Sequence, residues 1–322
     1  MRTFRWRHFT YRNPYLFALS LLVAAVLVNF LLQPNLLETS TLNSNMRVFL
    51  PLILLSVGQA VVILAGGIDI SVGAVVSIVN AILATQLGAQ ASPDKTLLML
   101  GAVLLVGMAA GAINGFFVAY LRLQPIITTY ATSFMYTGLA FLFMPNPGGA
   151  VPQGIKDFYR ETTPLGLPLA FYLIFLILLA WYLTRQTRYG RYLFAVGGKA
   201  EAAYETGVPV SAVLFSTYVV SGFMAALGGI AMTMLTGSGN AQVGDPLTLA
   251  SVTAVVIGGT VLSGGKGGIA GAIIGAIILG LIRNIISFAN VESWWQTFVN
   301  AAIIVVALAM PGLISLIRRK RS

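Results

Sequence analysis

Apolar runs of about twenty residues follow one another along almost the whole chain, broken only by short polar or glycine-rich segments. A run of that length crosses the hydrocarbon of a bilayer as a helix, because lipid offers no partner to an unpaired backbone group. Composition agrees. Hydrophobic residues make up 57% of the 322 and charged ones only 9%, where a soluble domain carries roughly a quarter charged. Most side chains therefore have no water to face, and the fold class is an all-α polytopic integral membrane protein.

The spans fall at about Pro14 to Leu32, Arg47 to Ala65, Ser71 to Leu87, Thr96 to Leu121 and Pro125 to Met144, then Leu167 to Thr184, Ser211 to Leu235, Leu249 to Leu262, Gly268 to Phe288 and Trp294 to Ile317. Charge tests this count of about ten transmembrane helices. With the N-terminus inside, the inner segments are the N-tail 1–13, 66–70, 122–124, 185–210, 263–267 and the basic C-tail 318–322. They hold 14 of the 19 basic residues, while six of the nine acids (Glu38, Asp94, Asp157, Glu161, Asp245 and Glu292) fall in outer segments. Positive charge retained inside predicts an even count with both termini cytoplasmic. No polar segment is long enough for a core of its own, so 1–322 reads as a single transmembrane domain.

Chemistry on the chain is narrowly bounded. There is no cysteine, and the one histidine, His8, lies in the basic tail, so no metal cluster and no nucleophile–base pair is expected. The net charge of +10 sits in clusters beside apolar spans, a topology signal and not a nucleic-acid footprint. No phosphate loop is present: in Gly264-Gly265-Lys266-Gly267-Gly268 no Ser or Thr follows the lysine. No catalytic residue and no cofactor bound by this chain is expected. Five spans per half would invert the second half on the first. The glycine-rich breaks at 65–73 and 258–268 are not equivalent under this count, so a repeat stays open.

Three groups of residues draw functional readings. Residues 184–213, TRQTRYGRYLFAVGGKAEAAYETGVPVSAV, begin with basic residues at the inner surface. Gly190 lies in that lead-in, Gly197 and Gly198 are expected to turn, and KAEAAYETG to form a short helix closed by Gly207. Lys199, Glu201 and Glu205 would then be exposed, either as ordinary solvated charges or as a knob for a soluble partner. The second group is AGGIDISVG, residues 65–73. Gly66, Gly67 and Gly73 permit turning and close approach, and Asp69 and Ser71 can each cap the third span. Asp69 otherwise reads as a functional group at the cytoplasmic end, through a basic partner or a docked subunit. The third group is polar residues inside spans: Arg283, which either snorkels or lines a wet path (with Asp245 or Glu292 as ion-pair candidates), and Asn80, Asn114, Thr128, Thr129, Thr132, Ser133 and Gln296.

GRYLFAVGGKAEAAYETGVPV resembles the coupling-helix region of bacterial ABC sugar-import permeases of the ribose, xylose and galactofuranose type. AGGIDISVG, ASVTAVVIGGTVLSGGKGGIAGAIIGAIILG at 250–280 and SWWQTFVNAAIIVVALA at 293–309 resemble further motifs of that family, in its order. PIITTYATSFMYTGLAF at 125–141 resembles it more loosely, with Tyr130 and Ala131 where a smaller, glycine-containing pattern is expected. The resemblance implies a multi-pass permease subunit in a bacterial inner membrane. It also implies a cytoplasmic ATPase subunit that carries the ATP, an extracytoplasmic sugar-binding protein, and a second permease copy or a sibling. A branched-chain amino-acid permease is the nearest alternative. A secondary transporter would need intramembrane carboxylates, and the sequence places nearly every acid in a loop.

Overall fold

The computed structural model describes residues 15–289 and, beyond them, 295, 298, 301, 302 and 305. The described part is helical throughout. Its elements are α1 (Tyr15–Leu32), α2 (Thr39–Leu64), α3 (Val72–Gln86), α4 (Pro93–Ala119), α5 (Pro125–Phe143) and α6 (Gln153–Glu161). After a 3-10 turn at Pro164–Gly166 come α7 (Leu169–Gln186), α8 (Arg188–Gly198), α9 (Ala200–Glu205), α10 (Val210–Thr236), α11 (Asp245–Ile257) and α12 (Ile269–Phe288). Six of these, α2, α4, α5, α7, α10 and α12, are long and apolar enough to cross a membrane, and α1, α3 and α11 are shorter apolar helices. The chain is a multi-pass helical membrane protein. Most of the expected tenth span lies outside the described residues.

Two long helices form the axis of the bundle. α2 and α10, at 26 and 27 residues, are each about 40 Å long and pack against one another. α4 lies along the other side of α10, and small residues let the two backbones approach: Gly107 and Gly111 on α4 meet Gly222 and Tyr218 on α10. α12 pairs with α11 as a hairpin and covers α2 and α1. α5 is held chiefly by α3 and is exposed over most of its surface.

The connections sort to two ends. At one end Leu64, Gly66, Gly197, Gly198, Gly264 and Gly265 converge, with a hydrogen bond from Gly265 N–H to the Leu64 carbonyl at 3.0 Å. At the other, Gly148 and Gly239 exchange two backbone hydrogen bonds (3.0 and 2.7 Å), and Asn43 donates to the Arg160 carbonyl at 2.7 Å. This grouping agrees with the charge-based sorting of 66, 197–198 and 264–265 to one face. α6, where the sequence suggested only a polar stretch, is held by the Tyr159 hydroxyl donating to the Arg47 carbonyl (2.8 Å).

Candidate functional site: two re-entrant breaks and a docking segment

α3 and α11 are too short to match their neighbours, at about 22 and 20 Å against about 30 to 40 Å. The missing length is taken up by the segments before them. After α2 ends, residues 65–71 turn back into the bundle; after α10 ends, residues 237–244 do the same from the opposite end. The depth can be read along α10. The residue before Ile70 and Ser71, Asp69, bonds to Ser221, and Gly229 packs on Val76 and Val79, while α10 itself runs from Val210 to Thr236. Gly73 and Gly244, at the heads of the two short helices, meet backbone to backbone between those levels, near the middle of the bundle. Gly244 N–H also donates to Ser77 Oγ at 3.0 Å. The order long helix, re-entrant break, short helix, long helix thus occurs twice, at α2–α3–α4 and α10–α11–α12. The partner of 65–71 is 237–244, not 258–268 as the span count suggested.

α2 closes with a Schellman motif. Gly66 has φ +88, its N–H donates to the Ile63 carbonyl (2.9 Å), and Gly67 N–H donates to the Val62 carbonyl (3.0 Å). The chain then dives inward and buries Asp69, which is 1% exposed. Its Oδ1 accepts from Ser71 N–H (3.0 Å) and Ser71 Oγ (2.7 Å), and its Oδ2 accepts from Ser221 Oγ (2.8 Å). The bonds continue outward in one direction: Thr132 Oγ1 donates to Asn114 Oδ1 (2.6 Å), and Asn114 Nδ2 donates to Ser71 Oγ (2.7 Å). Ile70 N–H donates to Thr129 Oγ1 at 3.0 Å. The Gln59 amide, with its nitrogen toward the Asp69 carbonyl, closes two bonds with the Asp69 backbone (3.0 and 3.3 Å). Asp69 is therefore a buried hub tying α2, α4, α5 and α10 to the break.

That geometry corrects the cap reading. Ser71 holds the N-cap position of α3 but makes no side-chain cap bond, and Asp69 satisfies the Ser71 N–H from two residues upstream. Nor does Asp69 lie at the surface or touch a base: its partners are hydroxyls and a backbone N–H, and it sits deep in the bundle.

The other polar candidates separate. Asn114, Thr129 and Thr132 belong to the hub, whereas Thr128 bonds back to the Gln124 carbonyl of its own helix (2.9 Å). Ser133 bonds within its helix, to the Tyr130 carbonyl at 2.6 Å. Asn80 is fully buried and pins the second break, donating to Thr233 Oγ1 (2.9 Å) and the Ser238 carbonyl (3.1 Å) and accepting from Asn240 N–H (2.7 Å). Arg283 is half-buried on α12 and makes no ion pair with Asp245; its neighbour Asn284 bonds to Asn45 on α2 at 3.0 Å. Gln296 and Glu292 lie outside the described residues.

The second break differs from the first. Along 239–245 the residues alternate, with Gly239, Ala241 and Gly244 buried and Asn240, Gln242 and Asp245 exposed. Charge counting had placed Asp245 in an outer loop. It lies instead beside Gly244, at mid-depth, because the chain re-enters. Asn240 and Gln242 did not stand out from sequence, and Asp245 did so only as an ion-pair candidate for Arg283; the signal for the break was the polar, glycine-punctuated run TGSGNAQVGD ahead of a short apolar helix.

The docking segment is built from two short helices. Thr187 caps α8 by accepting Gly190 N–H (3.3 Å), and Gly190 sits against the last turn of α7. The face of α8 bearing Leu193 and Val196 is buried, and Tyr189 shares a hydrogen bond with Ser216 of α10 (2.7 Å). Gly197 and Gly198 end this helix instead of forming the expected turn, and the chain bends at Lys199, where φ is −158. Gly197 is wedged between the Leu64 carbonyl and Gly265, while Gly198 has open space. α9 follows with Lys199, Glu201, Tyr204 and Glu205 exposed, and closes on Gly207 (φ +82) as expected: Val208 N–H reaches the Ala203 carbonyl at 3.0 Å.

Paired discontinuous helices entering from opposite ends, with non-helical backbone at mid-depth, define a solute permease of the inverted-repeat kind. The chain belongs to the family described as branched-chain amino acid transport system / permease component, whose model matches residues 41–308. It is 32% identical over 298 residues to the ribose import permease protein of Escherichia coli strain K12, covering 91% of each chain. It is also 32% identical over 265 residues to the D-allose transport system permease protein of the same strain, covering 82% of this chain and 80% of that one. The autoinducer 2 import system permease protein of Photorhabdus luminescens is 33% identical over 265 residues, covering 81% and 78%. No solved structure matches the chain. The chain is thus a transport component.

Proposed function

We propose that this protein is the membrane-spanning permease subunit of an ATP-driven ABC importer for a sugar or sugar-like solute. The observation that carries the reading is the family match over most of the chain, joined to an exposed two-helix segment seated on the ends of the bundle helices. In this reading the whole chain, 1–322, is one permease domain of ten spans with both termini cytoplasmic, in a bacterial inner membrane. A cytoplasmic ATPase subunit docks on α9 around Lys199, Glu201 and Glu205, and carries the ATP; this chain holds no cofactor or metal and binds no nucleic acid. A binding protein delivers solute outside, and a second copy or a sibling permease completes the path within the lipid.

Motion would pass through Gly197. A displacement of α8 and α9 acts on Leu64 and Gly265 at once, and so on the first break, which begins after Leu64, and on the loop that joins α11 to α12. The experiment is uptake by the complete importer in proteoliposomes, with D-ribose, D-allose and leucine as solutes. ATP-dependent uptake of a sugar is expected. Uptake driven by an ion gradient with no ATPase present, or transport of leucine alone, would overturn the reading.

A further inference from the structure

The first re-entrant break is closed over, and the second is open. Residues 237–244 are non-helical backbone carried to the middle of an apolar bundle, and one side of that segment is not covered by the chain. Non-helical backbone at this depth persists only against protein or water. On the uncovered side stand the amides of Asn240 and Gln242 and the carboxylate of Asp245, while the Thr248 hydroxyl turns to Gly73 on the covered side. The Asp245 carboxylate makes no hydrogen bond or ion pair with another described residue. The covered side is fixed. Asn80 and Ser77 hold the backbone of Asn240 and Gly244, and Gly73 abuts Gly244 from behind. Hydrocarbon cannot solvate a free carboxylate and two amides, so this face looks onto water.

We propose that Asn240, Gln242 and Asp245 line the translocation path from the end of the bundle marked by Gly239 to mid-depth and pass a neutral polyhydroxylated solute. The chemistry fits that class. Two amides supply donors and acceptors, and an acceptor-only carboxylate accepts hydroxyl hydrogen bonds; together they match vicinal hydroxyls. The negative charge disfavours anions. The solute class rests on the importer reading above; the water-filled path does not.

The chain contains no cysteine, so single thiols can be introduced into the full-length protein without removing any. Gln242→Cys and Asp245→Cys are compared with Leu176→Cys, which is 57% exposed near the middle of α7, with Leu179 and Leu183 along the same face. Each is assembled with its ATPase and binding protein, and treated with a membrane-impermeant cationic methanethiosulfonate. Residues 242 and 245 are expected to react about tenfold or more faster than 176, since thiolate forms only where water reaches. Modification should stop uptake, and D-ribose or D-allose delivered by the binding protein should slow it. Reaction no faster than at 176, or full labelling with uptake intact, overturns the proposal. Should either variant misassemble, Asn240→Cys reads the same face. Labelling as expected at 242 and 245, with a wild-type complex that moves no sugar, removes the solute class and leaves the path standing.

Discussion

Gly73 and Gly244 pack backbone against backbone where the heads of α3 and α11 cross, and a β-carbon on either would fall on the other's carbonyl. A β-carbon on Gly73 would also meet the Thr248 hydroxyl and one on Gly244 would also meet Val76, but the two carbonyls cannot move aside without shifting a helix head. Gly244→Ala should therefore cost at least about 1–3 kcal/mol by overpacking, and more if both breaks shift together. Gly101→Ala, on α4 with open space around it, should be neutral or slightly favourable through helix propensity. Thermal unfolding of the two purified variants in detergent checks this, with a lowered midpoint expected for Gly244→Ala alone.

The Asp69 hub makes a graded prediction. Three donors converge on one carboxylate, so Asp69→Asn keeps one acceptor oxygen and turns an amide N–H₂ toward a hydroxyl. Asp69→Ala leaves all three donors unmet inside the bundle. Each unmet buried group costs about 1–3 kcal/mol, so the order of stability should be wild type, Asp69→Asn, Asp69→Ala. Ser221→Ala strands only Asp69 Oδ2, one group against three, and should be milder than Asp69→Ala. Equal melting of all four proteins would mean that the hub contributes nothing.

Much of this arrangement was legible in sequence, and what was missed has one physical cause. Long apolar periods and basic clusters gave the helices and the shared face of Gly66, Gly197 and Gly265. Hydropathy counts a 15-residue apolar segment as a span, so it cannot tell a short helix reached by a re-entrant chain from a crossing. For that reason AGGIDISVG read as a turn at the surface, although Asp69 is carried inward to Ser221. The same blindness left NAQVGD as an outer loop and hid its kinship with 65–71. Gly197-Gly198 read as a turn because local propensity favours one, whereas burial of Leu193 and Val196 holds the helix to Gly198.

The docking surface offers a test independent of transport. Tyr204 is 72% exposed on α9, between the exposed Glu201 and Glu205. Tyr204→Ala should leave insertion and melting unchanged while weakening co-purification with the ATPase subunit. Gly207→Ala forces a β-carbon into the left-handed region, at a cost of about 1–2 kcal/mol, and should loosen the same helix from the opposite direction. Undiminished ATPase recovery with both variants would move the docking site elsewhere.

Adjacent glycines in the same helix allow coupling to be separated from folding. Gly197 is enclosed by Leu64 and Gly265, and Gly198, one residue on, faces open space. A methyl group at 197 must push the end of α2 and the 264–265 loop apart; the same methyl at 198 meets nothing. Gly197→Ala should therefore keep ATPase binding through the unaltered α9 but lose most solute uptake per ATP hydrolysed. Gly198→Ala should match wild type in both. The measurement is paired: ATP hydrolysis and uptake by the same proteoliposomes, with binding protein present. If Gly197→Ala transports as well per ATP as Gly198→Ala, the junction at Leu64 does not carry the motion, and the link between α9 and the two breaks has to run through α10 instead.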